Sequence, residues 1–140
     1  MLKEKLRNHY RLIIQSDLNE IQRVEELTEY IVRRMGFNEE ARDSLAISIT
    51  EMVGNAISHG NKLDANKTVT IDYFIDKGGI RIVIQDQGEG FEVEEVDNPL
   101  APENLLKESG RGIFIVRTLM DGVNYSYNDK GTQVEIIKYL

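Results

Sequence analysis

The chain contains no cysteine, which excludes disulfides and thiolate chemistry and is compatible with a reducing compartment. Its only histidines are His9 and His59, with no HExxH and no His–Cys grouping, so a transition-metal site is not expected. No run approaches the ~18 apolar residues of a membrane-spanning helix. The opening residues, MLKEKLRNHYR, hold no apolar signal-peptide core. These absences lead us to expect a cytoplasmic protein with no membrane partner. Positive charge is also scarce: 17 Lys and Arg stand against 24 Asp and Glu, for a net charge of −7 and a pI of about 4.9. A phosphate backbone calls for a basic face, and nowhere do Lys and Arg cluster with aromatics. Direct contact with nucleic acid is therefore not expected.

What remains is an ordinary globular composition, 41% hydrophobic and 29% charged. The 140 residues fit one domain, 1–140, long enough to bury a core without staples. HYRLIIQ, residues 9–15, predicts a strand. Asp17 offers an N-cap, with Glu20 placed for a capping box. Ile21, Val24, Leu27, Ile31 and Met35 then recur at helical steps up to a stop at Gly36. A second helix is expected after Asn38, with Leu45, Ile49, Met52 and Ala56 as its core stripe and Gly60 as its stop. Residues 68–75 and 79–86 read as strands joined by the turn DKGG. From Gly88 to Gly110 periodicity is lost over a stretch holding Pro99 and Pro102, and a loop of that length is more often functional than idle. GIFIVRTLMDG predicts a third helix, and VNYSYN and TQVEIIKYL read as strands around NDKG. This order favours a two-layer α/β sandwich with helices on one face of a largely antiparallel sheet.

Three stretches carry chemistry. In ITEMVGNAISHGNK, residues 49–62, Ser48, Glu51, Asn55 and His59 fall on one helix face beside the apolar stripe. The row is either a solvated face or a site. Asn is a mediocre choice for a helix interior, whereas an amide oxygen beside a carboxylate offers hard ligands for Mg²⁺ that also binds substrate phosphates. The carboxylate could equally position a nucleophile's proton. His59, near the helix C-terminus, also suits the dipole there. In DQGEGF, residues 86–91, an apolar strand ends in an Asp able to accept a hydrogen bond from an exocyclic amine such as adenine's. The motif fits neither the dinucleotide fingerprint nor the phosphate loop. In GRGIFIV, residues 110–116, glycines stand before a helix, where free amides bind phosphate, and Arg111 can add a charged donor.

Together these residues resemble the GHKL ATPases, whose Bergerat-type fold is a two-layer sandwich. EMVGNAISHGN is similar to the N box, DQGEGF to the first glycine box, SGRGIF to the second, and Gly131-Thr132 to the last. The four occur in the family order and span roughly residues 45–135. Within that superfamily the chain is most similar to the short anti-sigma factor protein serine/threonine kinases. The resemblance implies ATP and Mg²⁺ as ligands, with Asn55 on the metal and Glu51 as the base for a protein hydroxyl. Asp86 would read the adenine amino group, supported by Thr132 through water, and Gly88 and Gly90 would shape the adenine pocket. Gly110 and Gly112 would bare the backbone to the phosphates, with Arg111 and His59 as further nucleotide-side candidates and the long loop as a lid. Implied partners are a sigma factor, a STAS-domain anti-anti-sigma protein that is phosphorylated, and a second copy in a homodimer, with Tyr10, Leu12 and Ile14 a candidate interface. The alternative is an ATP-binding regulatory module that captures partners without kinase turnover.

Overall fold

The computed structural model describes residues 5–88 and 108–140. Five strands form one antiparallel sheet: β1 (His9–Gln15), β2 (Thr68–Ile75), β3 (Gly79–Gln85), β4 (Gly122–Asn128) and β5 (Gly131–Tyr139), in the order β1-β2-β3-β5-β4. The helices are α1 (Ile21–Met35), α2 (Glu39–Asn55) and α3 (Glu108–Leu119). Register is set by alternation. Ile14 faces Val69, Ile71 faces Ile84, and Ile82 faces Ile136, so one sheet face is largely aliphatic. That face and the helices enclose a single core that includes Val24, Ile31, Leu45, Ile49, Met52 and Val116. The opposite face carries charge pairs across neighbouring strands, Arg11–Asp72 at 2.8 Å and Arg81–Glu135 at 3.0 Å. This is the expected two-layer sandwich.

Local chemistry explains the boundaries. Gly36 closes α1 at φ 90°, a left-handed conformation that glycine adopts without a Cβ clash. Asn38 caps α2 by accepting from the Ala41 N–H at 2.8 Å. Asp76 Oδ1 accepts from the Gly78 and Gly79 amides in the β2–β3 turn. Asn128 Oδ1 does the same for Lys130 and Gly131 between β4 and β5. One cap differs from expectation. Asp17 caps a short 3₁₀ turn, Leu18–Glu20, that precedes α1, and its own N–H is held by the Gln15 carbonyl. Glu20 pairs with Arg23 instead, and no capping box forms.

Three further expectations need correcting. β3 ends at Gln85, so Asp86 lies just beyond it. α3 runs from Glu108 to Leu119 rather than from Gly112 to Gly122, so Gly110 and Gly112 sit inside its first turns. Ile14 is buried in the core and cannot belong to an exposed interface, while Tyr10 and Leu12 are half-buried against the core and His9, Arg11 and Ile13 are exposed.

Tyr73 locks α1 to the sheet. It is fully buried, its hydroxyl lies 2.8 Å from Thr28 Oγ1, and Thr28 donates to the Val24 carbonyl at 2.7 Å. Burial pushes the Tyr73 phenol up to about 12, and the Thr28 bond only partly offsets this.

Candidate functional site

The spine of the site is α2 and the turn that follows it. After Asn55 the helix widens into a π turn, Ala56–Gly60, in which the Asn61 N–H bonds the carbonyl five residues back, at Ala56. Such insertions recur at functional sites because they re-aim side chains without breaking the helix. Here the turn delivers Gly60 to Asp86. A Cβ on Gly60 would overlap the Asp86 carboxylate, and one on Gly88 would overlap the Gly60 carbonyl.

Asp86 is buried and firmly held. Its Oδ1 accepts from the Thr132 N–H at 2.9 Å and the Gly88 N–H at 3.0 Å, while its own N–H donates to the Thr132 carbonyl. Its Oδ2, beside Gly60, has no donor among the described residues. A buried carboxylate with one oxygen saturated and the other free is poised to accept from a ligand N–H. Thr132 thus supports Asp86 directly through its backbone. Gly131 is needed for the same approach: its φ is +146°, and a Cβ there would meet Asp86 Oδ1 at 2.5 Å.

At the other end of the spine, α3 packs against α2 with Gly112 turned towards it. A Cβ on Gly112 would lie 2.7 Å from Glu51 Oε2 and 3.6 Å from Asn55 Nδ2. Glu51 and Asn55 are both half-buried, and neither makes a side-chain hydrogen bond or ion pair among the described residues. Elsewhere the helices pair their charges, as in Arg33–Glu29 at 2.6 Å. The first four N–H groups of any helix lack intrahelical acceptors, which in α3 includes those of Gly110 and Arg111. Gly112 of α3 thus meets a carboxylate and an amide that have no side-chain partner among the described residues. The N box links it to Asp86.

Residues 14–138 match the family described as the histidine kinase-like ATPase domain. The chain belongs to that family. This histidine kinase-like ATPase domain is 30% identical over 116 residues to the serine-protein kinase RsbW of Oceanobacillus iheyensis, covering 79% of this chain and 73% of the relative. It is 29% identical over 116 residues to RsbW of Bacillus subtilis, covering 79% and 72%. A crystal structure of the RsbU and RsbW domains of a Mycobacterium tuberculosis protein aligns with a TM-score of 0.66 at 16% identity. It covers 92% of this chain and 32% of that one, and this likeness speaks for the fold. No helix among the described residues is long and apolar enough to cross a membrane.

Not every expected residue joins the site of this ATPase domain. Ser48 leaves the polar row: it is fully buried, and its Oγ is without a hydrogen-bond partner among the described residues. The reason is that α2 packs against both α1 and α3 above the sheet, which widens its buried arc beyond the apolar stripe. His59, past the π turn, is exposed and makes no hydrogen bond among the described residues. Gly90, the lid and the Arg111 side chain lie outside the described residues. Sequence reasoning missed Asn61. Fully buried, it donates to Ser16 Oγ at 2.7 Å and the Thr68 carbonyl at 2.9 Å, and accepts from the Gln87 N–H at 2.7 Å. It stood in the quoted N-box stretch, and its signal was a polar residue directly after a helix-stopping glycine. Gln85 and Asn128, bonded to each other at 2.9 Å, were missed as well.

Proposed function

We propose that this chain is an anti-sigma factor with ATP-dependent protein serine/threonine kinase activity, binding a sigma factor and phosphorylating a STAS-domain anti-anti-sigma antagonist. The observation that carries the reading is the Glu51–Asn55 edge, unpaired among the described residues and set against Gly112, on the same helical spine that brings Gly60 to Asp86. The RsbW relatives, named serine-protein kinases, support the same class.

In this reading Asp86 Oδ2 accepts from the adenine amino group, and Gly88 keeps the wall open. Gly60, Gly90 and Thr132 complete that side. The amides at Gly110 to Gly112 face the phosphates, with Arg111 as an added donor. The donor set suits magnesium. The described residues hold no cluster of three or more His, Cys, Asp or Glu, and Mg²⁺ is usually held by one or two protein oxygens plus substrate phosphates. Asn55 would supply an amide oxygen to it, and the ion's contribution is to neutralise phosphate charge. Glu51 accepts the proton of the attacking Ser or Thr hydroxyl, whose oxygen bonds the γ-phosphorus as the bridging P–O bond breaks and ADP departs. A groove of about 480 Å³ between α1 and α2, lined by Glu29, Arg42, Ile47 and Thr50, extends to Glu51. We further propose that the chain acts as one domain and works as a homodimer.

The test is transfer of label. Labelled ATP, Mg²⁺ and the STAS-domain antagonist are expected to give a phosphorylated antagonist, with Glu51→Ala abolishing transfer but keeping nucleotide binding. Equal labelling by both proteins would remove Glu51 as base. ATP-dependent capture with the antagonist's mass unchanged would replace the kinase with a nucleotide-sensing binding module.

A further inference from the structure

Asn61 is a fully buried polar side chain that joins three segments around Asp86. Its three hydrogen bonds reach the residue following β1 (Ser16), the start of β2 (Thr68) and the peptide after Asp86 (Gln87). The neighbours reinforce it. Ser16 Oγ donates onward to the Lys67 carbonyl at 2.8 Å, and the Thr68 N–H donates to Gln87 Oε1 at 2.7 Å. The Asp86 backbone is thereby held on both sides, by Thr132 before the carboxylate and by Asn61 after it. Asn61 also follows Gly60 directly, so it fixes the two surfaces that touch, Gly60 and the Asp86–Gly88 segment.

Backbone conformation gives a second, independent sign. Lys62 and Leu63, immediately after Asn61, adopt φ of 53° and 60°, which non-glycine residues avoid. Two such residues in succession persist only where the surroundings over-determine them. Here the Leu63 N–H bonds the Ile57 carbonyl and the Asp64 N–H bonds the Asn61 carbonyl, which pins Asn61 in place.

We infer that Asn61 is a positioning residue that sets the spacing between Gly60 and the Asp86 carboxylate, and through it selectivity for a purine bearing a 6-amino group. The inference rests on the adenine role proposed for Asp86. A side chain donating two bonds and accepting a third does this without touching the nucleotide.

The experiment compares binding of ATP and of purine riboside triphosphate, which lacks the 6-amino group, to wild type, Asn61→Ala and Ser16→Ala, with thermal midpoints recorded. Wild type is expected to prefer ATP. Asn61→Ala is expected to lose about tenfold of that preference. Ser16→Ala removes one of the three anchors and is expected to lose roughly threefold in the same sense. Affinity for the analogue should change far less than affinity for ATP, a split that general destabilisation does not produce. Should Asn61→Ala fail to fold, Ser16→Ala decides. A wild-type preference retained in every folded variant overturns the role of Asn61 alone. Equal wild-type affinity for both nucleotides overturns the Asp86 assignment, and this inference with it.

Discussion

Gly112 leaves bare the space against which Glu51 rests: a Cβ on that glycine would stand 2.7 Å from Glu51 Oε2. Gly112→Ala therefore sets two effects in opposition. Alanine is favoured over glycine in a helix interior by up to about 1 kcal/mol, and the atom it meets is the far end of a flexible side chain. The thermal midpoint should hold or rise. Phosphotransfer should fall by roughly tenfold to a hundredfold, because a base displaced by about 1 Å is badly placed for its proton. Thermal denaturation and turnover on the same preparation check this. Full activity with a raised midpoint would show that Glu51 can move without consequence.

Gly60→Ala should behave differently. The atom it meets is the Asp86 carboxylate, whose Oδ1 is tied to two backbone amides and cannot step aside. Forced overpacking of that kind costs about 1–3 kcal/mol. Denaturant unfolding should register the loss, and calorimetry should find ATP binding weakened as well. Unaltered stability would mean that the Gly60 and Asp86 segments can move apart at little cost.

Ser48 offers a contrary case. Its buried hydroxyl has no partner among the described residues, and an unmade hydrogen bond at a buried group costs about 1–3 kcal/mol. Ser48→Ala removes that group and adds a better helix former, so the protein should become more stable, with ATP affinity unchanged. A stability loss, or weaker nucleotide binding, would return Ser48 to the polar row.

Much of this architecture was legible in residue patterning. The strand at 9–15, the helix from Ile21 to its stop at Gly36 and the start of a second helix after Asn38 follow from alternation, helical spacing and stop signals, all properties of neighbours in sequence. Properties that depend on distant neighbours were not legible. Ser48 is buried because helices flank α2 on both sides. Asn61 matters because three separate segments present it with partners. Gly60 and Gly131 serve as places where Asp86 can approach, which a lone glycine does not announce. The four boxes carried the family, but the direct Thr132–Asp86 backbone contact emerged only from the fold.

Tyr73 predicts a response to alkali. Its folded value is raised to about 12 from an ordinary 10 by burial, so the ionised phenol is favoured in the unfolded chain. Stability from this group is complete below pH 10 and is lost as the pH rises towards 12. The total is about 2–3 kcal/mol for a two-unit shift. Urea unfolding at pH 9 and at pH 11.5 should show a larger loss in wild type than in Tyr73→Phe, although the variant starts lower for want of its bond to Thr28. Identical losses would remove Tyr73 as the cause.

The most direct measurement is calorimetric titration with ATP, with and without Mg²⁺, on wild type, Asn55→Ala and Asp86→Asn. If three distant segments close around one metal-bearing nucleotide, wild type binds ATP and gains affinity from Mg²⁺. Asn55→Ala should lose that gain while retaining metal-free binding, and Asp86→Asn should lose about tenfold under both conditions. An Asn55→Ala protein with an undiminished magnesium gain, or an Asp86→Asn protein with wild-type affinity, would contradict the account.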